Sequence, residues 1–174
     1  MSASIPPIIW LRAESKAFEH RTPLTPADAA TLADAGIKVF LERSDARVYP
    51  DEDYASSGCS LVDAGTWESA PLDAFILGLK ELPDSAQPLR HRHIYFAHAF
   101  KRQSGWQELL LRFRQGGGTL YDLEYLVDDD GRRVAAFGHW AGFAGAAVAN
   151  LAWCGRYSTE LLELASLTAY KDKG

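Results

Sequence analysis

A chain of 174 residues with 47% hydrophobic and 24% charged side chains is long enough for one well-buried domain and too ordinary in composition for a disordered or fibrous protein. Its formal net charge of −5 gives no general attraction to phosphate backbones, which argues against a nucleic-acid partner. The two cysteines, Cys59 and Cys154, are too few for a disulfide framework and lack a CxxC spacing for zinc; both read as buried small hydrophobes of a reduced, cytoplasmic protein.

Taken in chain order, MSASIPPIIW has no basic region ahead of an apolar core and is not a secretory signal. Ile8 to Leu11 reads as a buried strand. Thr25 then serves as N-cap of a helix with Pro26 at its first position and Asp28 in its first turn, and Gly36 stops it. Lys38 to Glu42 is a second strand, Leu61-Val62 a short third, Ala74 to Leu79 a fourth and Ile94 to Ala97 a fifth. Trp106, Leu109, Leu110 and Phe113 fall at i, i+3, i+4, i+7 and mark one helical face, ended by Gly116-Gly117-Gly118. Leu120 to Leu126 and Arg133 to Phe137 complete the strands. A helix from about His139 to Trp153 follows, and Leu161, Leu162, Leu164 and Leu167 suggest one more in the tail.

From Val134 to Cys154 the strongly polar side chains are only His139 and Asn150, a length that could cross a bilayer. The β-branched opening and the alanine-rich continuation after Gly138 fit a strand and a small-residue helix better than a span. Ala141, Gly145 and Ala149 would let that helix pack closely against another backbone. Strands alternating with helices predict a single α/β domain over residues 1–174, Rossmann-like and three-layered, with a mostly parallel sheet.

Ligands of such sheets gather at the carboxyl ends of the strands. Lys80-Glu81 ends one apolar run, His98 ends another with Lys101 just beyond, and Asp122 and Glu124 lie within the Leu120–Leu126 run. A strand-end lysine that is partly desolvated or close to other cations can serve as a base, and a histidine exchanges protons near neutral pH. The alternative is a solvated lysine and a hydrogen-bonded core histidine, and spacing alone favours that alternative. His91, His93 and His98 do not make a metal site: a third ligand five residues on leaves the shared face, no carboxylate is adjacent in sequence, and Arg90 and Arg92 suit an exposed loop. Arg21 and Arg133 could clamp carboxylates or form structural ion pairs. Gly116 to Gly118 ends a helix, where anions are repelled, and Gly142-Phe143-Ala144-Gly145 is no G-x-G-x-x-G between strand and helix.

These positions also carry a resemblance. Leu11-Arg12-Ala13-Glu14 with Glu19-His20-Arg21-Thr22-Pro23-Leu24-Thr25-Pro26 is similar to the opening of the alanine dehydrogenase and transhydrogenase superfamily. Gly78-Leu79-Lys80-Glu81, Phe96-Ala97-His98, Lys101 with Gly105-Trp106, Gly118-Thr119-Leu120-Tyr121-Asp122-Leu123-Glu124 and Gly131-Arg132-Arg133-Val134-Ala135-Ala136-Phe137-Gly138 resemble the fungal-type saccharopine dehydrogenases that form lysine. The segment Ala141 to Ala147 continues the likeness, which runs from about Ile8 to Asn150.

The resemblance implies reversible, NAD-dependent oxidation of saccharopine to lysine and 2-oxoglutarate. It implies Lys80 and His98 as acid–base groups, Glu81 and Glu124 as the carboxylates that tune them, and Arg21, Lys101 and Arg133 as cations for the substrate carboxylates. His20 before Arg21 and the pair His139-Trp140 depart from the family pattern and put substrate specificity in question. The family follows its alanine-glycine helix with a dinucleotide-binding domain whose fingerprint is not in these residues. The chain alone is therefore expected not to catalyse hydride transfer. It would be completed by a separate nucleotide-binding subunit, or would stand alone as a binder of an amino acid or keto acid. A structural remnant that self-associates as a homo-oligomer is the third reading.

Overall fold

The computed structural model describes residues 6–136 and 138–156. Its contacts divide the chain into one unit over Met1–Leu126 and a second over Val127–Gly174. The first unit holds β1 (Ile8–Leu11), α1 (Pro26–Asp34), β2 (Lys38–Glu42), α2 (Asp51–Ser56), β3 (Ser60–Val62), β4 (Phe75–Leu77), β5 (Arg92–Tyr95), α3 (Trp106–Gly116) and β6 (Thr119–Asp122). The six strands pair in the order β3-β2-β1-β4-β5-β6, and every pairing is parallel. The chain builds outward from β1 to β3, then returns to place β4 on the other side of β1. That reversal puts the topological switch point between β1 and β4.

Strand alternation assigns the two faces. Leu11, Val39 and Leu41 are buried on one face with Ala29 of α1 and Tyr54 of α2. Trp10, Ile76 and Tyr95 point to the other, where Trp67 and Phe113 of α3 cover them. Full burial of a Leu- or Ile-sized side chain stabilises by roughly 1.5–3 kcal/mol, so the two half-cores hold the sheet as the middle of three layers. Helix α1 starts as its sequence predicts: Thr25 is extended, its hydroxyl accepts the Asp28 N–H at 3.2 Å, and Pro26 opens the first turn.

Several expectations need correction. Strand β5 begins two residues earlier than the apolar run suggested, because His91 and His93 are themselves core residues, 3% and 0% exposed. They lie edge-on among Trp67, Tyr95 and Phe113, so the exposed loop inferred from Arg90 and Arg92 is wrong. The Leu120 run stops being a strand at Asp122, where its carboxylate accepts the Glu124 N–H at 3.1 Å and turns Leu123–Tyr125 into a 3₁₀ turn. Helix α2 has no apolar period; after Pro50 it is set by three acidic residues in its first turn and by Tyr54 alone reaching the core.

In the second unit, the strand expected from Arg133 is a single antiparallel bridge between Val127 and Arg133. The Asp128 carboxylate accepts the Asp130 and Arg132 N–H groups and closes the turn, but Val134 is 59% exposed and offers no buried face to extend it. Phe137 lies outside the described residues. Helix α4 (Gly138–Gly155) forms where a helix was expected, and no described helix is long and apolar enough to cross a membrane. Cys59 is buried, but Cys154 on α4 is exposed, contrary to its reading as a core residue. Of the three small residues expected to give α4 a close backbone contact, Gly145 has open space, since an added Cβ there would meet nothing within 4 Å. The tail helix falls on residues outside those described.

The glycine triplet does more than end α3. A Cβ at Gly116 would lie 2.1 Å from the Leu89 carbonyl oxygen, so the helix end and the strand-leading segment touch backbone to backbone. Gly116→Ala should therefore lower the unfolding free energy by at least the 1–3 kcal/mol typical of overpacking, read as a lower denaturant midpoint at unchanged m-value. His93 supplies a second prediction. Burial, with the nearby His91, Arg12 and Arg112 charges, lowers its pKa from 6.5 to about 3. The unfolded chain then binds a proton below pH 6.5 that the folded chain refuses. Stability is full above that pH and falls toward pH 3, by up to about 1.4 kcal/mol per pH unit from this group. In His93→Phe, urea titrations between pH 6.5 and 4 should show a shallower acid slope; an unchanged slope would refute the assignment.

Candidate functional site

The carboxyl ends of β1 and β4 flank the switch point, and both carry polar clusters. From β1 the chain runs through Arg12, Glu14, Lys16, Glu19 and Arg21 before α1. Arg12 and Glu14 are buried as an ion pair at 3.5 Å, with side chains 2% and 7% exposed. The Glu14 carboxylate accepts the Leu79 N–H at 2.6 Å and the Lys80 N–H at 3.0 Å. Arg12 donates from Nη2 to the Lys80 carbonyl, and its guanidinium lies over the Tyr95 ring, 5.8 Å from the centroid.

Lys80 follows β4 and is half-buried. Its charge acts on two carboxylates. Glu19 is held below the usual carboxylate range chiefly by its hydrogen bonds from Arg21, against the opposing effect of burial, with Lys80 contributing. Those bonds are bidentate, Nε to Oε1 at 2.7 Å and Nη2 to Oε2 at 2.6 Å. They keep the Arg21 guanidinium all the more firmly protonated. For Glu81, burial works to raise the pKa, but its own backbone N–H, the Lys16 ammonium at 3.1 Å and the Lys80 charge together lower it.

The second cluster lies one strand over. The Phe96 N–H donates to the Leu79 carbonyl at 3.2 Å, so the segment after β5 continues alongside the segment that carries Lys80. Two residues later His98 adopts the left-handed conformation, φ 50° and ψ 24°, which for a residue with a Cβ costs roughly 1–2 kcal/mol. Its ring stacks on Phe96, and Nδ1 stands 3.7 Å from Glu124 Oε2. The other carboxylate oxygen of Glu124 takes the Lys101 ammonium. Glu124 is 8% exposed, while Lys101 is about half exposed. Asp122 holds the turn that presents Glu124.

The structure thus places Lys80, Glu81 and Arg21 around the switch point and His98, Lys101 and Glu124 beyond β5 and β6. Arg133 belongs to the second unit, where Nη2 donates to the Ala135 carbonyl at 3.3 Å. A cavity of about 300 Å³ adjoins Glu81, lined also by Tyr95, Gln103, Trp106 and Arg112. No group of three or more His, Cys, Asp or Glu able to hold a metal occurs among the described residues. Sequence reasoning did not single out Arg12, Glu14, Lys16 or Glu19. The strand-end rule that found Lys80 and His98 reaches the end of β1 as well, but in a polar stretch leading to a helix nothing in the sequence separates these residues from solvated linker.

An arrangement of a lysine and a histidine on neighbouring strand ends, each beside buried or half-buried carboxylates, can pass protons to and from one bound molecule. The cations around them suit a ligand rich in carboxylates. The chain is 53% identical over 150 residues to the NAD(+), L-lysine-forming saccharopine dehydrogenase of Schizosaccharomyces pombe, covering 86% of this chain and 41% of that one. It is 54% identical over 145 residues to the same-named protein of Yarrowia lipolytica, covering 83% and 39%. It is also 34% identical to the mitochondrial alpha-aminoadipic semialdehyde synthase of Rattus norvegicus, over 80% of this chain and 15% of that one. The chain therefore spans about two-fifths of the first two relatives.

Among solved structures, an L-alanine dehydrogenase superposes with a TM-score of 0.59 at 22% identity, covering 72% of this chain and 34% of that one. The transhydrogenase of Sinorhizobium meliloti gives 0.53 at 18%, over 68% and 35%. Both establish the fold. The family model described as alanine dehydrogenase/PNT, N-terminal domain matches residues 10–144, and the chain belongs to that family.

Proposed function

We propose that this chain is the substrate-side part of an NAD-dependent saccharopine dehydrogenase, converting saccharopine and water to lysine and 2-oxoglutarate. The observation that carries the reading is the pairing of Lys80 and His98 on hydrogen-bonded neighbouring strand extensions, each beside a carboxylate. The secondary amine of saccharopine must lose its proton before hydride can depart, and Lys80, having first released its own proton, receives it. His98 then serves the hydration of the imine and the collapse of the carbinolamine, taking and returning a proton within reach of Glu124. Glu81 and Glu124 stabilise positive charge on these two groups. Arg21 and Lys101, both in the first unit, meet substrate carboxylates.

NAD is the oxidant this reading requires. Neither glycine cluster among the described residues is a phosphate cradle for it: the glycine triplet closes α3 against Leu89, and Gly142 and Gly145 lie inside α4, so neither stands between a strand and a helix. The cofactor is assigned to residues outside this chain or outside those described, on a separate nucleotide-binding subunit or a further domain. The NAD reduced in the reaction is accordingly not expected to be turned over by residues 1–174 alone.

Titration calorimetry with saccharopine, lysine and 2-oxoglutarate tests the reading on the chain itself. We expect saturable heat with at least one of them, weakened about tenfold or more in Lys80→Met and in Lys101→Met, as for loss of a charge-assisted contact. Flat titrations with all three ligands would overturn the reading, and NADH formation from saccharopine by these residues alone would overturn the placement of the cofactor.

A further inference from the structure

Where β1 and β4 part, the amides that follow them lose their strand neighbours. The last shared bond is Arg12 N–H to the Leu77 carbonyl at 3.0 Å. Beyond it Gly78 donates to Ile94 on β5, while the N–H groups of Leu79 and Lys80 are both taken by the carboxylate of Glu14 and the Lys80 carbonyl by Arg12. Both main-chain polar groups of Lys80 are therefore held by side chains of one dipeptide-spaced pair. That pair is itself buried and joined. Gly78 is part of the same device: a Cβ there would lie 2.3 Å from Arg12 Nε and push the guanidinium out. Backbone so fixed leaves Lys80 only its side-chain torsions, and the Phe96 bond to Leu79 ties the same segment to the strand extension that ends in His98.

We infer that Arg12 and Glu14 are positioning residues: as a buried brace they fix the backbone of Lys80, and with it the direction of its ammonium and its separation from His98. The chemistry given to Lys80 rests on the function proposed above, but the brace itself can be read without it. Buried ion pairs are seldom retained for stability alone, because an apolar replacement of the same size usually serves as well. Here no apolar side chain could serve, since the pair satisfies three main-chain groups at once.

The test uses the 174-residue chain with Glu14→Gln, Glu14→Asp and Arg12→Lys. Leu41→Val, a core change in the neighbouring strand β2 that removes no contact to the 78–80 segment, is the control for general destabilisation. Reductive ¹³C-methylation reports the Lys80 side chain by NMR, assigned with Lys80→Arg, and amide exchange reports Leu79 and Lys80. Expected in the three brace variants is a dispersed spectrum in which those two amides exchange about tenfold faster or more. The Lys80 methyl signal should move toward that of free methyl-lysine, with no such move in Leu41→Val. Glu14→Asp keeps the charge but falls one methylene short of spanning both amides, so it decides the matter if Glu14→Gln does not fold. A Lys80 signal unmoved in the brace variants, or moved equally in Leu41→Val, overturns the inference. Saccharopine affinity measured on the same samples should fall about tenfold in the variants. If the wild-type chain does not bind saccharopine, the proposed function fails, while the Lys80 signal still judges the brace.

Discussion

A parallel sheet satisfies its amides only while its strands run side by side, and at a switch point two neighbouring strands must diverge. The N–H groups just past the divergence are then buried without a backbone partner, at a cost of about 1–3 kcal/mol each if nothing replaces it. This chain answers with buried carboxylates. Glu14 takes Leu79 and Lys80. Glu42, fully buried at the end of β2, takes Trp10 Nε1 and the N–H groups of Ala13, Gly65 and Trp67 at 2.7 to 3.2 Å. Because Glu42 fixes Ala13, it also fixes the residue between Arg12 and Glu14. The carboxyl edge of the sheet is thereby rigid at the point where the candidate site is built, and the residues that make it so are charged by necessity.

That rigidity distinguishes the site from one assembled on loops. Lys80 and His98 both stand just past strand ends, and the Phe96–Leu79 bond links their segments directly. The proton-transfer pair proposed above needs its members placed to within a fraction of an ångström of the productive geometry. The strain accepted at His98, which leaves the allowed helical and extended regions, belongs to the same economy of placement. A backbone outlier of this kind persists only where its surroundings hold it; here the Phe96 stack and the nearby Glu124 carboxylate flank it.

How much of this was legible in the sequence depended on which physical signal wrote each part. Strands β1 and β2 were readable to the residue because Ile8–Leu11 and the Val39–Leu41 centre of β2 are apolar runs buried or half-buried on both faces, and α1 because Thr25, Pro26 and Asp28 spell out a helix start. Strand β5 was misplaced by two residues because it opens on exposed Arg92 and buried His93 rather than on aliphatic residues, and burial of a neutral imidazole among aromatic rings leaves no hydropathy mark. The short bridge at Arg133 failed as a strand because β-branched residues need a face to bury and Val134 has none. In the site, Lys80, Glu81, His98, Lys101 and Glu124 could be located by their place after apolar runs. Arg12, Glu14, Lys16 and Glu19 could not be ranked by that pattern, since a polar stretch between a strand and a helix reads as solvated linker until its side chains are seen turned inward.

The electrostatics of the site make a demand on any ligand it serves. Glu19, Glu81 and Glu124 bring negative charge into a partly dry region, and each is already matched by a cation: Arg21, Lys16 with Lys80, and Lys101. A polycarboxylate entering here adds charge of the sign the site already holds, so it is tolerated only where cations can be shared between protein and ligand carboxylates. Lys80 contributes to lowering both Glu19 and Glu81, so one lysine serves two carboxylates. The carboxylates that make a polyanion's entry costly are therefore the ones that hold in place the cations it would have to share.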